Sequence, residues 1–335
     1  LLLLAFILYR AAAGARGFDW ALFQASLFAV DPAWASLAIL FITLSYFGRA
    51  IRWEAMMRPF GPPPPLYRLF VGSAIGFTAV VLLGRAGELV RPWWIARESG
   101  TPFAAQLAIW FSERIYDLLT VMLFFGYALI RIAGSGVLNA LGPQAQWILS
   151  KGGAAALAIG LGALLLLLAL RLLRPARQQR LLSWLDHLPA SLAARLRPLA
   201  THFLAGAAAS CSPRQQGLVL LYTLLEWAVI AACYWAVLRA FSATRTLSLP
   251  DIVAMMGLVS FGSIAQIPGI GGGMQVTALA VLTQLFGVGL EPAAGIAFFL
   301  WFIAFASVVP AGLLLAFLEG LNFRRLRHLD QEVDS

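Results

Sequence analysis

Apolar residues in this chain gather into runs of about 17 to 28 separated by short stretches rich in Arg, Gly and Pro, and a helix rising about 1.5 Å per residue needs such a run to cross about 30 Å of hydrocarbon. Leu1 to Tyr9 reads as the end of a helix. The run Trp34 to Phe47 ends in Arg49, Arg52, Trp53 and Arg58, an aromatic and basic flank expected at a cytoplasmic interface. Pro62 to Pro65 fix four φ angles and remove four N–H donors, so they exclude helix, and a new element starts at Leu66. Leu69 to Leu83 is short for a straight span and runs into the basic loop of Arg85, Arg91 and Arg97, which predicts a re-entrant segment. Pro102 opens a long helix to Ile130, and Gly152 to Leu170 returns towards Arg171, Arg174, Arg177 and Arg180. From Ala176 to Cys211, leucines at helical spacing among Arg and His predict interfacial helices. Gly217 to Leu238 crosses again, Pro250 and Asp251 start a Gly-broken region that cannot be one helix, and Pro292 to Phe317 crosses towards Arg324, Arg325 and Arg327.

This pattern predicts an all-α, polytopic integral membrane protein with two inverted repeats that contain re-entrant or broken helices. The whole chain, 1–335, reads as one transmembrane domain: a first half over 1–131, a connecting span and amphipathic linker over 132–215, and a second half with a basic tail over 216–335. Short or Gly/Pro-interrupted segments at corresponding places in inverted halves point to a transporter with a midplane site. A simple bundle with Gly-rich packing contacts is the alternative.

Composition agrees: 61% apolar and 12% charged residues exclude a soluble domain. The net charge of +9 would suggest nucleic acid in a soluble protein, but here the arginines flank apolar runs and read as anchors to anionic lipid. Their distribution predicts a cell-membrane (inner-membrane) protein with a cytoplasmic C-terminus, and no nucleic-acid partner. Cys211, Cys233 and the histidines His187, His202 and His328 are dispersed, with no disulfide or metal spacing. No cofactor is expected: the glycines of Gln266 to Val276 miss the dinucleotide pattern, and no βαβ unit surrounds them. The usual hydrolase and pump signatures do not occur, which argues against an enzyme.

Charges inside apolar runs carry the most information, because each costs at least about 2.5 kcal/mol at a helix centre unless paired or hydrated. Glu113, Arg114 and Asp117 fall about 17 to 22 Å along the helix from Pro102, near mid-membrane. Arg114 reaches Asp117 at i, i+3, which leaves Glu113 available for a cation, a proton or a substrate. Glu226 is at similar depth, about 14 Å into its run, and is expected to face Arg85, Arg91 or Arg114. In LGRAGELVRP, Leu83 to Pro92, Gly84 and Gly87 stand beside Arg85, Glu88 and Arg91, giving close backbone approach and guanidinium forks suited to a phosphate. A static salt-bridge knot, or lipid-surface anchoring by the same arginines, is the competing reading. In QIPGIGGGMQV, Gln266, Pro268, Gly269, Gly271 and Gln275 expose backbone and amides that must be buried in protein or line a cavity.

GRAGELVRP (Gly84 to Pro92), SERIYDLL (Ser112 to Leu119) and IPGIGGGMQV (Ile267 to Val276) together resemble the flippase-like membrane domain of the lysylphosphatidylglycerol synthase transmembrane family, over nearly the whole chain. The resemblance picks out Gly87, Glu88 and Arg91, then Glu113, Arg114 and Asp117, then Pro268, Gly269 and Gly271. It departs from the family pattern at Gln275 and Trp301, where Glu and Arg are common, which removes the expectation of proton coupling through the second loop. It extends to the membrane domain and not to the cytosolic aminoacyl-transferase domain of some relatives.

The resulting expectation is a lipid flippase. Arg85 and Arg91 would capture an anionic phospholipid or polyprenyl-phosphate-linked lipid, Arg114 would receive it at mid-membrane, and Glu113, Asp117 and Glu226 would tune that charge or carry a proton. The alternatives are an accessory subunit presenting lipid to a membrane-associated glycosyl- or aminoacyl-transferase, and an intramembrane transferase.

Overall fold

The computed structural model describes residues 18–58, 61–134, 142–172, 183, 213–263, 266–267 and 271–320. The expected helix end at Leu1 to Tyr9, the interfacial helices of Ala176 to Cys211 and the basic tail lie outside them. The described chain is helical apart from one short strand pair: α1 (Trp20–Phe28), α2 (Pro32–Met57), α3 (Leu66–Leu83), a 3-10 turn (Gly84–Leu89), α4 (Val90–Ser99), α5 (Phe103–Gly134), α6 (Gly142–Leu172), α7 (Pro213–Ala240), α8 (Leu249–Gly262), α9 (Gly273–Gln284), α10 (Leu290–Ala304) and α11 (Val309–Leu318). Helix starts follow local chemistry. The Asp31 carboxylate accepts from the N–H of Ala33 ahead of Pro32, and at α8 the Ser248 and Asp251 side chains form a capping box with Pro250 in the first turn.

Among the described residues, four stretches are long and apolar enough to cross a membrane, Pro32–Met57, Leu66–Ser99, Phe103–Ala133 and Arg214–Ala240, and a fifth is formed if the bent pair α10 and α11 is one span. Leu66–Ser99 is not a straight rod. A methyl group on Gly72 would come within 2.5 Å of the Trp94 ring, one on Gly76 within 2.6 Å of Arg91 Cβ, and one on Gly87 within 2.2 Å of the Ala79 carbonyl. Contacts that run in opposite order along α3 and α4 define an antiparallel hairpin that reverses at Gly84, whose φ of 66° favours glycine. The run after Leu69 thus doubles back on itself through the 3-10 turn. The crossing predicted from Pro292 to Phe317 is bent by 41° between α10 and α11. Pro310 lacks the N–H that would continue the ladder, and its ring crowds the preceding turn.

A second hairpin joins α8 to α9. The antiparallel pairing of Gln266 with Gly272 and Ile267 with Gly271 reverses the chain, and Gly262 packs on Thr277 so closely that a methyl group would meet its hydroxyl at 2.0 Å. The order span, hairpin, span therefore occurs twice, as α2, α3–α4, α5 and as α7, α8–α9, α10–α11. The leading spans α2 and α7 pack antiparallel. The N–H of Asp31 donates to the Ala240 carbonyl at 3.0 Å, Trp34 meets Trp235 edge-on at 4.8 Å, and the Cys233 thiol contacts the Ala38 carbonyl at 3.5 Å. The hairpin tips also meet: a guanidinium N–H of Arg85 donates to the Ser263 carbonyl at 3.2 Å.

Small residues let these helices approach without a hydrophobic driving force between them. Gly126 of α5 faces Gly153 of α6, and Gly257 of α8 lies against the Phe124 backbone. Ion pairs tie the ends: Arg68 binds both Glu98, at 2.7 Å, and Glu319, and Arg131 binds Asp251 at 2.6 Å. Large apolar side chains point outward along the bundle, Phe28 at 90% and Phe317 at 81% exposed, as lipid-facing residues do.

Gly87→Ala is expected to lower the melting temperature and folded yield in detergent, since its methyl group meets backbone and the overlap costs at least about 1–3 kcal/mol. Gly48→Ala in α2, where a methyl group meets nothing within 4 Å, is expected to hold or raise both.

Candidate functional site

Four arginines and three carboxylates from α2, α4, α5 and α7 meet inside the bundle. At their centre Arg52, with 0% side-chain exposure, donates to Glu113 at 2.6 Å, to both Asp117 oxygens at 2.8 and 3.2 Å and to Thr223 Oγ1 at 3.2 Å, and pairs with Glu226 at 3.3 Å. Arg49, one turn earlier on α2, pairs with Glu226 at 2.9 Å. Arg91 reaches across from α4 to Glu113 at 3.1 Å and to the Arg49 carbonyl at 3.1 Å, with its guanidinium 4.1 Å over the Trp53 ring. Arg114 closes the set, 3.0 Å from Asp117 and 3.7 Å from Glu113. The helical repeat puts Glu113 and Asp117 on one face of α5, and the opposed carboxylate of α7 comes from the antiparallel packing of α2 and α7.

A cavity of about 490 Å³ opens beside this cluster, between the hairpin tips and spans α2, α5 and α7. Arg49, Arg91, Arg114 and Asp117 line one wall, and Arg85 and Glu88, paired at 2.5 Å, line it from the first hairpin tip. The remaining wall is largely apolar and includes the aromatic side chains of Tyr46, Phe77, Trp110 and Trp227. Arg114 keeps 34% of its side chain open and Arg49 14%, whereas Arg52 is closed off. Guanidiniums at the edge of an apolar-walled cavity suit a phosphate oxygen by charge and by fork geometry.

The structure brings Arg91, Glu113, Arg114, Asp117 and Glu226 together as one network and places Arg85 and Glu88 on the same cavity. Three local expectations change. Glu113 is not left available beside an Arg114–Asp117 pair, because Arg52 and Arg91 both hold it. Glu226 faces Arg49 and Arg52 rather than Arg85, Arg91 or Arg114. Arg49 and Arg52 are not a surface flank, because α2 continues to Met57 and buries Trp53, Met56 and Met57 beyond them. Gly87 packs against Ala79. In the second hairpin, Gln266 and Gly271 form the strand pair with their neighbours, and Gln275 Oε1 accepts from the Gly272 N–H at 2.6 Å, which caps α9. Met274 reaches the cavity from α9. Pro268 and Gly269 lie outside the described residues. The signal for the missed arginines was the apolar stretch that resumes at Ile51, Trp53 and Ala55 to Met57: a run that continues past its basic residues has not reached the interface.

Fold and cluster together define a multi-pass membrane protein with a buried arginine–carboxylate network on a central cavity. The family model for the lysylphosphatidylglycerol synthase TM region matches residues 1–312, and the chain belongs to that family. The chain is also similar to glycosyltransferase AglD of Haloferax volcanii, 29% identical over 115 residues that make up 32% of this chain and 18% of that protein. It thus spans under a fifth of that relative's length.

Arg52→Ala is expected to leave three buried carboxylates short of a partner and to destabilise the protein by about 3–5 kcal/mol, read as loss of a monodisperse peak in detergent chromatography. Arg58→Ala, at an exposed i, i+4 pair with Glu54, is expected to change stability by less than about 1 kcal/mol.

Proposed function

We propose that this protein moves an anionic lipid between leaflets, with the headgroup passing through the central cavity and the acyl chains remaining in the surrounding lipid. The observation that carries this reading is the cavity of about 490 Å³ itself, where Arg49, Arg91 and Arg114 meet a largely apolar wall at the point where two hairpin tips touch. A static knot of ion pairs needs no cavity, and surface anchoring needs no buried guanidinium.

The architecture supports the same reading. A recurring span–hairpin–span order with antiparallel leading spans fits two inverted repeats, with a substrate site at their interface and broken helices around it. The Arg85 bond to Ser263 links the two hairpin tips directly. The headgroup is an anionic phospholipid or a polyprenyl-phosphate-linked lipid. The substrate-binding set is Arg85, Glu88, Arg91, Glu113, Arg114, Asp117 and Glu226, to which Arg49 is added. The charge distribution along the sequence fits a cell-membrane location with a cytoplasmic C-terminus. A second reading, an accessory subunit that presents lipid to a transferase, draws on the likeness to a protein named a glycosyltransferase.

In proteoliposomes containing the protein alone, a labelled anionic phospholipid is expected to cross leaflets and be recovered unmodified. Arg114→Ala and Arg49→Gln are expected to slow that movement by at least about tenfold, the loss of one charge-assisted contact. Wild-type protein that is folded and inserted but moves no anionic lipid would reject the transport reading in favour of the accessory one.

A further inference from the structure

Charge counted around the cavity narrows the substrate class. The cavity wall and the network behind it hold five arginines, Arg49, Arg52, Arg85, Arg91 and Arg114, against four carboxylates, Glu88, Glu113, Asp117 and Glu226. Each carboxylate lies within 2.9 Å of a guanidinium nitrogen and is counted at its formal charge: Glu88 beside Arg85 at 2.5 Å, Glu113 beside Arg52 at 2.6 Å, Asp117 beside Arg52 at 2.8 Å and Glu226 beside Arg49 at 2.9 Å. The second hairpin and α10 contribute only uncharged residues to the wall, Ser263, Met274 and Ala304 among them. Among the described residues the site therefore carries a surplus of one positive charge.

We propose that this surplus makes the cavity select a headgroup with one net negative charge, a phosphodiester, over one with two, a phosphomonoester. The proposal rests on the lipid-transport reading and deepens it. A charge in a low-dielectric site must be matched nearly one for one, so a singly charged phosphate closes the balance and a doubly charged one leaves a new, unmatched charge. Hydrogen bonding shows the same surplus on the donor side. Among the described residues, Nε of Arg49, of Arg91 and of Arg114 and the indole N–H of Trp227 have no acceptor, although all four residues line the cavity. A phosphate offers acceptors only.

The arginines divide the work. Arg52 is committed to three carboxylates and is closed to the cavity, and Arg91 is fixed by Glu113, the Arg49 carbonyl and the Trp53 ring. Arg114 and Arg49 remain partly open and each faces the cavity, so these two receive the phosphate.

The test is calorimetric titration of the purified full chain in detergent with short-chain phosphatidylglycerol, phosphatidic acid and phosphatidylcholine at pH 8, above the second phosphomonoester pKa of about 6. Wild-type protein is expected to bind phosphatidylglycerol at least about tenfold tighter than phosphatidic acid, with phosphatidylcholine weaker than phosphatidylglycerol. Glu88→Gln raises the surplus to two and is expected to swing the preference about tenfold towards phosphatidic acid. Arg85→Gln removes the surplus and is expected to weaken both anionic lipids relative to phosphatidylcholine. Both residues are on the hairpin tip, and a melting curve for each variant confirms folding independently. Equal binding of the two anionic lipids by wild type, or an unchanged ratio in folded variants, overturns selection by charge and leaves the anionic-lipid reading standing. Failure of wild type to bind any of the three overturns that reading and this proposal with it. Glycerophosphoglycerol, the same headgroup without chains, is expected to bind more weakly than the lipid, and equal affinity would overturn the assignment to lipid.

Discussion

The requirement that a charge removed from water find its counter-charge governs this molecule. Arg52 carries a full positive charge in the interior of a bundle whose outer surface is hydrocarbon, and it is tolerable there only because Glu113, Asp117 and Glu226 converge on it from two other spans. That convergence dictates which helices can be neighbours. α2 must lie against α5 and α7 together, and Arg91, reaching for Glu113, draws the first hairpin onto the same centre. Apolar packing alone would not specify this, because Leu against Leu and Leu against lipid are nearly equivalent inside a membrane.

The glycines supply the distances that the network needs. Guanidinium and carboxylate groups can meet at 2.6 to 3.3 Å only if the backbones behind them come close, and Gly76 lets Arg91 approach α3 where any side chain would collide with it. Gly87 does the same at the tip, pressed onto Ala79, so that Arg85 and Glu88 next to it face the cavity and not the helix. Gly87, picked out as a binding position, thus also fixes the position of its neighbours.

Much of this was legible before any coordinates. Run lengths gave the spans, and Gly84 with Arg85 marked the reversal of the first hairpin. Mid-run charges named Glu113, Arg114, Asp117 and Glu226 because an apolar background makes each one costly. Arg49 and Arg52 were hidden by the same rule that found the others. Basic residues near the end of a run normally mark the interface, and only the burial of Trp53, Met56 and Met57 shows that α2 has not yet surfaced there. The partner of Glu226 was not legible at all, since it depends on the antiparallel register of α2 and α7, which is set by contacts such as Trp34 with Trp235 and Ala38 with Cys233. The bend at Pro310 was readable in principle, but an apolar run through it looks continuous when only hydropathy is followed.

The arginines fall into two layers of one network, an inner one closed off by carboxylates and an outer one partly open to the cavity. The inner layer, Arg52 with its carboxylates, is saturated and holds the spans together. The outer layer, Arg49 and Arg114, shares those same carboxylates and is only partly occupied by them, so it can bind an incoming anion without dissolving the inner one. A ligand that drew Arg114 away from Asp117 would leave Asp117 still held by Arg52, at little cost in exposed charge. Redundant pairing of this kind lets one contact of the network be exchanged without leaving a buried charge unmatched, so the fold around it stays fixed.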